Sequence, residues 1–334
     1  MSFQLHAELA AEHDGATRWG YRRIHCARVG GRGQQHAVPS GTNVSDDVPQ
    51  GQNVLPDVPS DLDWLYVENV NSYRLIGTPS DTAQVTPYEF TTTIADLAVA
   101  GGAKVVLGRA TSINSEEGRV ASVTYTVHGS SESENLTATD VVLCTGPWAA
   151  QLYPPTSVIG LCQNSVVLRP SRQLSAYMLF TEISLPPTQT ESSQHVMPEV
   201  FARPNGTVWA AAEPDPSVPM PDTADEVVPD ADACRSIVTQ VGSISPELRK
   251  STVVAQQQCY LPNIKGDIPG PILGATEVSG LWLAVGHSCW GIQNAPGTGK
   301  IMAEFVYEGA AVSADVGELD ISLIPDIGTV DGET

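Results

Sequence analysis

Positive charge is scarce in this chain. Of its 334 residues only 16% are charged, and 17 lysines and arginines stand against 38 aspartates and glutamates, a formal net charge of −21. Nucleic-acid phosphates and anionic lipid surfaces repel a chain of that sign, which excludes both from the expected partners. Long apolar runs are also missing. None approaches the roughly 18 residues of a membrane-crossing helix, so no integral membrane insertion is expected. The opening stretch MSFQLHAELAAEHDG has no basic leader ahead of an apolar segment, so the expected location is cytoplasmic. The six cysteines (Cys26, Cys144, Cys162, Cys234, Cys259, Cys289) form no CxxC pair, and their scatter suits neither a zinc site nor a disulfide framework. Several catalytic signatures are absent: GxSxG, GxxxxGK[ST] and HExxH. No GxGxxG turn joins an opening strand to a helix.

What is present describes a globular protein rich in turns. Hydrophobic residues make up 41% of the chain, with 29 glycines and 25 prolines. The length suits two domains. Apolar spacing predicts a helix over 3–13, then strand positions at Ile24, Cys26 and Val29. Residues 36–61 read as a long Pro/Ser/Gly/Asp-rich loop, after which Trp64 packs back on the body. A helix starts at Thr86, with Pro87 in the first turn and Glu89 placed for a capping box. Strands are expected at 104–107 (KVVL), 120–127 and within 135–144. The apolar VVLC that ends this run suits a central parallel strand.

Residues 158–262 change character, to short runs typical of antiparallel strands and one helix near 232–242. From 271 the parallel pattern returns, with an apolar strand over 280–285, a glycine-marked loop, and a helix over 299–308. The expected fold class is therefore α/β. Residues 1–155 and 263–315 form one domain, 156–262 an antiparallel-sheet domain, and 316–334 a solvated acidic tail.

Two strand ends are the places for chemistry, because ligands in open α/β sheets collect there. At the first, Thr145 and Gly146 follow a buried strand, with Trp148 close behind. At the second, Gly286 opens the loop that carries His287 and Trp290. Gly291, Gly297 and Gly299 permit close backbone approach to a flat ligand. A helix beginning near Thr298-Gly299-Lys300 would offer free N–H groups and a positive dipole end. No metal site is expected.

The segments FQLHAELAAEHDG…RWGYRR, VTPYEFTTTIADLAVAGGAKVV, DVVLCTGPWA and CYLPNIKGDIPGPILGATEVSGLWLAVGHSCWGIQNAPGTGKIMAEFVYEG resemble the FAD-dependent oxidoreductases of the D-amino-acid oxidase superfamily, in its fungal branch. The resemblance implies a Rossmann-like, three-layer FAD-binding domain, incomplete at its N-terminus, with an antiparallel-sheet substrate domain. It implies FAD as cofactor and oxidation of an amine or amino-acid-like C–N bond by hydride transfer to the flavin. His287, Trp290 and Tyr260 would be catalytic. Thr145, Gly146, Trp148, Gly286, His287, Gly291, Gly297, Thr298, Gly299 and Lys300 would bind the cofactor.

Three departures qualify this. The family's opening GxGxxG unit would lie upstream of Met1. Leu261 and Cys289 stand where relatives place arginines for a substrate carboxylate; Arg169, Arg172 and Arg203 are the remaining bases for that task. The alternative function is a degenerate homologue without activity, acting as a scaffold or trafficking protein.

Overall fold

The computed structural model describes residues 1–34, 57–187, 192–266 and 270–323. Most of the loop expected at 36–61, and the tail beyond 323, lie outside the described residues. Four helices matter here: α1 (Ser2–Glu12), α2 (Pro87–Ala100), α3 (Ala231–Gly242) and α4 (Gly291–Glu308). Apart from a two-residue pair, Arg22–Arg23 with Ala83–Gln84, the strands in chain order begin with β1 (His25–Arg32), β2 (Val70–Gly77), β3 (Gly108–Glu116), β4 (Arg119–Val127), β5 (Ser133–Thr137) and β6 (Val141–Leu143). They continue with β7 (Val158–Arg169), β8 (Tyr177–Leu185), β9 (Gln194–Val196), β10 (Glu199–Ala202), β11 (Val208–Ala211), β12 (Thr252–Ile264), β13 (Ile272–Ala275) and β14 (Leu281–Val285).

Alternating residues between 158 and 264 produce the expected strands, which join an eight-stranded sheet in the order β12–β7–β11–β10–β8–β1–β2, with β9 beside β8. One face is largely apolar. Val166, Leu168, Leu179, Val200, Val208 and Ala210 pack there against Leu62, Trp64 and the Cys234, Ile237 and Val241 face of α3. Burying each large aliphatic side chain stabilises the fold by about 1.5–3 kcal/mol. Asp230 starts α3, its carboxylate accepting from the Asp232 and Ala233 N–H groups, which satisfies two otherwise free helix donors.

The large sheet crosses the expected domain boundary. β1 pairs in parallel with β8 over eight residues, and β2 extends the sheet beyond β1. Strands from 25–32 and 70–77 thus share a sheet with those of 156–262. The glycine cluster Gly30-Gly31 lies inside β1, where β2 approaches closely, and forms no nucleotide turn.

A second sheet, ordered β13–β14–β6, brings the two ends of the chain together. β14 and β6 are parallel, with Leu281 opposite Val141 and Leu283 opposite Leu143. This joins the expected strands at 140–144 and 280–285. Leu143, Ile264, Ile272, Leu283 and Val285 form its core. On the other face Met302 of α4 packs on Leu273 and Ala284, and Phe305 stacks on Trp282 at 5.7 Å. β3, β4 and β5 make a third, antiparallel sheet.

Four local expectations are corrected. Helix α4 begins at Gly291, eight residues before Gly299, and carries Pro296 inside it. Residues 104–107 form no strand. Val105, Val106 and Leu107 are 65%, 56% and 69% exposed, and the described bond to this run is His128 N–H to the Leu107 carbonyl. Thr86 makes no side-chain cap. Its N–H, which a capping box would give to Glu89, donates to the Trp19 carbonyl instead. Finally, the described part of the acidic tail packs on the body. Leu319 lies against the Leu273–Met302 cluster and Ile321 against the core of the second sheet, because both are apolar residues within the acidic run.

Candidate functional site

Leu143 and Leu283 are register partners in the parallel pair β6–β14. Three residues beyond each comes a glycine, Gly146 and Gly286, with φ of +55° and +76°. Both strands therefore leave the sheet on the same side through a left-handed turn, a conformation that side chains with a Cβ adopt only at a cost. The two glycines differ in surroundings. A Cβ on Gly286 would lie 2.6 Å from Ile264 Cδ1, whereas one on Gly146 would meet nothing within 4 Å. Cys144 and Thr145 are exposed beside Gly146. The result is an open shelf of backbone at the carboxyl ends of two parallel strands.

The second strand end leads through His287, then a turn over Ser288–Trp290, into α4 at Gly291. The helix N-terminus, with its free N–H groups and positive dipole end, therefore lies at 291–294. Thr298 sits within the helix and meets His287, with His287 Nε2 and Thr298 Oγ1 at 3.0 Å. No described residue partners His287 Nδ1. Burial lowers the His287 pKa below its ordinary value, so the ring is neutral at pH 7. Trp290 is 52% exposed.

The remaining expected residues divide. Gly291 stands against the His287 Cβ, at the shelf. Gly297 is buried, and the space a Cβ would need there is filled by Ser2 of α1; its smallness serves helix packing. Gly299 and Lys300 are exposed in the middle of α4, two turns from its start. Trp148 Nε1 donates to the Pro221 carbonyl and the Tyr260 hydroxyl to the Pro219 carbonyl, both at 2.9 Å. These polar atoms are committed to fastening the acidic proline-rich loop.

Of the arginines left for a carboxylate, Arg172 is held by Asp63 at 2.8 Å and Glu247 at 3.5 Å. Arg203 is half-buried, its pKa lowered by desolvation and raised in part by Glu89. Arg169 is exposed at the end of β7. Sequence reasoning missed the support beneath the site, where Ser2 and His6 bond to α4 around Pro296. A proline thirteen residues before the helix-ending Gly309 was the available signal, because it leaves the carbonyl four residues earlier without a donor.

Residues 75–305 match the sequence pattern of the family described as FAD dependent oxidoreductase, DAO. The chain belongs to that family. It is 31% identical over 296 residues to "Putative oxidoreductase TDA3" of Saccharomyces cerevisiae, across 79% of this chain and 55% of the yeast protein. The chain thus spans about half the length of that relative. It is 27% identical to "Putative oxidoreductase C1F5.03c" of Schizosaccharomyces pombe, across 96% of this chain and 80% of that protein. Among solved structures, glycine oxidase from Geobacillus kaustophilus superposes with a TM-score of 0.68 at 18% identity, covering 96% of this chain and 80% of the other. L-Proline dehydrogenase from P. horikoshii gives 0.66 at 15% identity, with the same coverages. The FAD dependent oxidoreductase family thus accounts for the α/β architecture with its Rossmann-like part.

Proposed function

We propose that this chain is a flavin-dependent oxidoreductase that binds FAD at the strand-end shelf and oxidises a C–N bond of a small amine or amino-acid-like substrate. The observation that carries the reading is the pair of left-handed glycines beyond the matched residues Leu143 and Leu283. The shelf fits a flat, polar-edged group. Cys144 and Thr145 are exposed there, the space beside Gly146 is open, and the α4 N-terminus supplies donors and positive potential from one side. Thr145, Gly146, Gly286, His287 and Gly291 would hold the group; Gly297, Gly299 and Lys300 have no direct part. When bound, FAD supplies the electron acceptance, taking a hydride from the carbon beside the substrate nitrogen.

The chain's own residues have narrower tasks. The α4 N-terminus stabilises negative charge on the bound group. Thr298 orients the His287 ring, and burial keeps it neutral, so that Nδ1 can hold or release a proton at the shelf. Trp290 presents an apolar face that limits water there. The domain division into 1–155 with 263–315 against 156–262 remains part of the proposal, with β1 and β2 shared between the two units, as does a cytoplasmic location.

The test is FAD binding to the full chain, followed by flavin fluorescence quenching, in the unaltered protein, Gly286→Val and Gly299→Ala. Gly286→Val is expected to weaken binding by about tenfold or more, since both its φ and the contact with Ile264 oppose a side chain. Gly299→Ala should bind as the parent does. Equal affinity in all three proteins would refute the shelf as the site.

A further inference from the structure

The two faces of the large sheet differ. Leu179, Val200, Val208 and Ala210 are at most 1% exposed on the face that α3 covers. The residues that alternate with them, Met178, Phe180, Glu199, Phe201 and Trp209, point to the opposite face and are only half-buried. Register places them together. Phe180 lies opposite Glu199, Met178 opposite Phe201, and Phe201 opposite Trp209. The Phe180 and Phe201 rings meet edge-on at 6.2 Å between centroids, and Phe201 and Trp209 at 4.9 Å.

Glu199 is the unusual member. It is a carboxylate set beside an aromatic row, and no described residue gives it a hydrogen bond or an ion pair. Burial pushes its carboxyl up from the ordinary range. The neighbouring cation is spoken for: Arg28, which lies beside Phe180 in the sheet, bonds to Glu182 at 3.2 Å. A carboxylate partly withdrawn from water gains from a counter-charge, and aromatic faces attract cations. The molecule's net charge of −21 draws small cations in and keeps anions, including a second copy of the chain, away.

We propose that this face, centred on Glu199, binds an organic ammonium ion carrying an aromatic or bulky apolar substituent. The ammonium pairs with the Glu199 carboxylate, and the substituent lies along Phe180, Phe201 and Trp209. A free α-amino acid suits the face poorly, because its carboxylate would be held close to the Glu199 carboxylate, and like charges repel. That this ligand is the substrate oxidised rests on the flavin reading above; the binding itself does not.

The experiment is calorimetric titration of the flavin-free full chain with phenethylammonium, methylammonium and phenylacetate. Saturable binding is expected for phenethylammonium alone. Glu199→Gln, close in shape, should weaken it by about tenfold or more, and Phe201→Leu, which needs no change of charge, by several-fold. Binding of phenylacetate as tight as that of phenethylammonium overturns the proposal, as does unchanged affinity in a folded Glu199→Gln. Absence of amine binding together with a concentration-dependent mass that Phe201→Ser abolishes would make the face a contact between copies, and also overturns it. The two readings fail separately. Glu199-dependent binding without reduction of added FAD sinks C–N oxidation and leaves this site standing. Oxidation of phenethylamine with the same KM in Glu199→Gln does the reverse.

Discussion

His6 Nε2 donates a 2.9 Å hydrogen bond to the carbonyl of Ile292. That carbonyl is the one Pro296, four residues on and without an N–H, cannot serve. Ser2 completes the repair. Its hydroxyl donates to the Asn294 carbonyl and accepts from the Gly297 N–H, both at 3.0 Å. The first helix of the chain therefore mends the break in the last one, directly behind the His287–Thr298 contact.

Replacing His6 with Ala should leave a buried carbonyl without a donor and cost about 1–3 kcal/mol, read from the midpoint of urea unfolding. Gln, which can still donate, should recover part of it. Desolvation lowers the His6 pKa, against smaller opposing effects of the Ile292 and Gln293 carbonyls, and its Nδ1 is buried without a partner. The folded state thus binds the proton less readily than the unfolded one, whose pKa is about 6.5. The neutral ring's contribution is complete above that value and is lost as pH falls from it towards the folded pKa. Stability of the parent measured from pH 8 to pH 5 should fall more steeply than that of His6→Gln. Parallel curves would remove His6 from this account.

Glu304 should govern a lower pH window. Its carboxylate accepts from the Val312 and Ser313 N–H groups at 2.8 Å and from the Ser313 hydroxyl. These bonds, that to the Ser313 side chain first, hold its pKa below the ordinary carboxylate value. The clasp is fully formed above the unfolded pKa and is lost as pH falls through the folded one. Hydrogen exchange of the 312 and 313 amides is expected to accelerate in acid in the parent, and to be fast already at pH 7 in Glu304→Ala. Amides protected equally in both proteins would count against the clasp.

The two strand-end glycines should respond unequally to alanine. Gly146→Ala meets only the left-handed φ, a penalty of about 1–2 kcal/mol. Gly286→Ala meets a comparable penalty and the 2.6 Å contact with Ile264 as well. Thermal unfolding should therefore rank Gly286→Ala below Gly146→Ala, and pairing it with Ile264→Ala should narrow the gap. Equal melting temperatures would show that the contact relaxes freely.

Tyr260→Phe separates packing from chemistry. The hydroxyl donates to the Pro219 carbonyl and the ring is buried, so its loss should cost about 0.5–1.5 kcal/mol of stability. The flavin reduction rate with an amine substrate should fall little. A loss of that rate by orders of magnitude would restore the catalytic role that the family resemblance implies.

Much of the architecture was legible in the residues. The helix over 3–13, the strands at 120–127 and 280–285 and the shift to antiparallel runs after 158 follow from apolar spacing, which is local, and the family motifs of DVVLCTGPWA and the C-terminal segment pointed to two strand ends. Long-range partners decided the rest. The run KVVL has strand composition, but among the described residues no strand pairs with it. Thr86 has the right sequence for a capping box, yet its N–H is taken by Trp19. The start of α4 at Gly291 defied its internal proline because Ser2 and His6, nearly the whole chain away, supply the missing bonds. Glu199 reads in the sequence as one acid among 38 acidic residues. Only the sheet register sets it against Phe180, since a strand's alternation tells which residues share a face but not what the neighbouring strands bring to it.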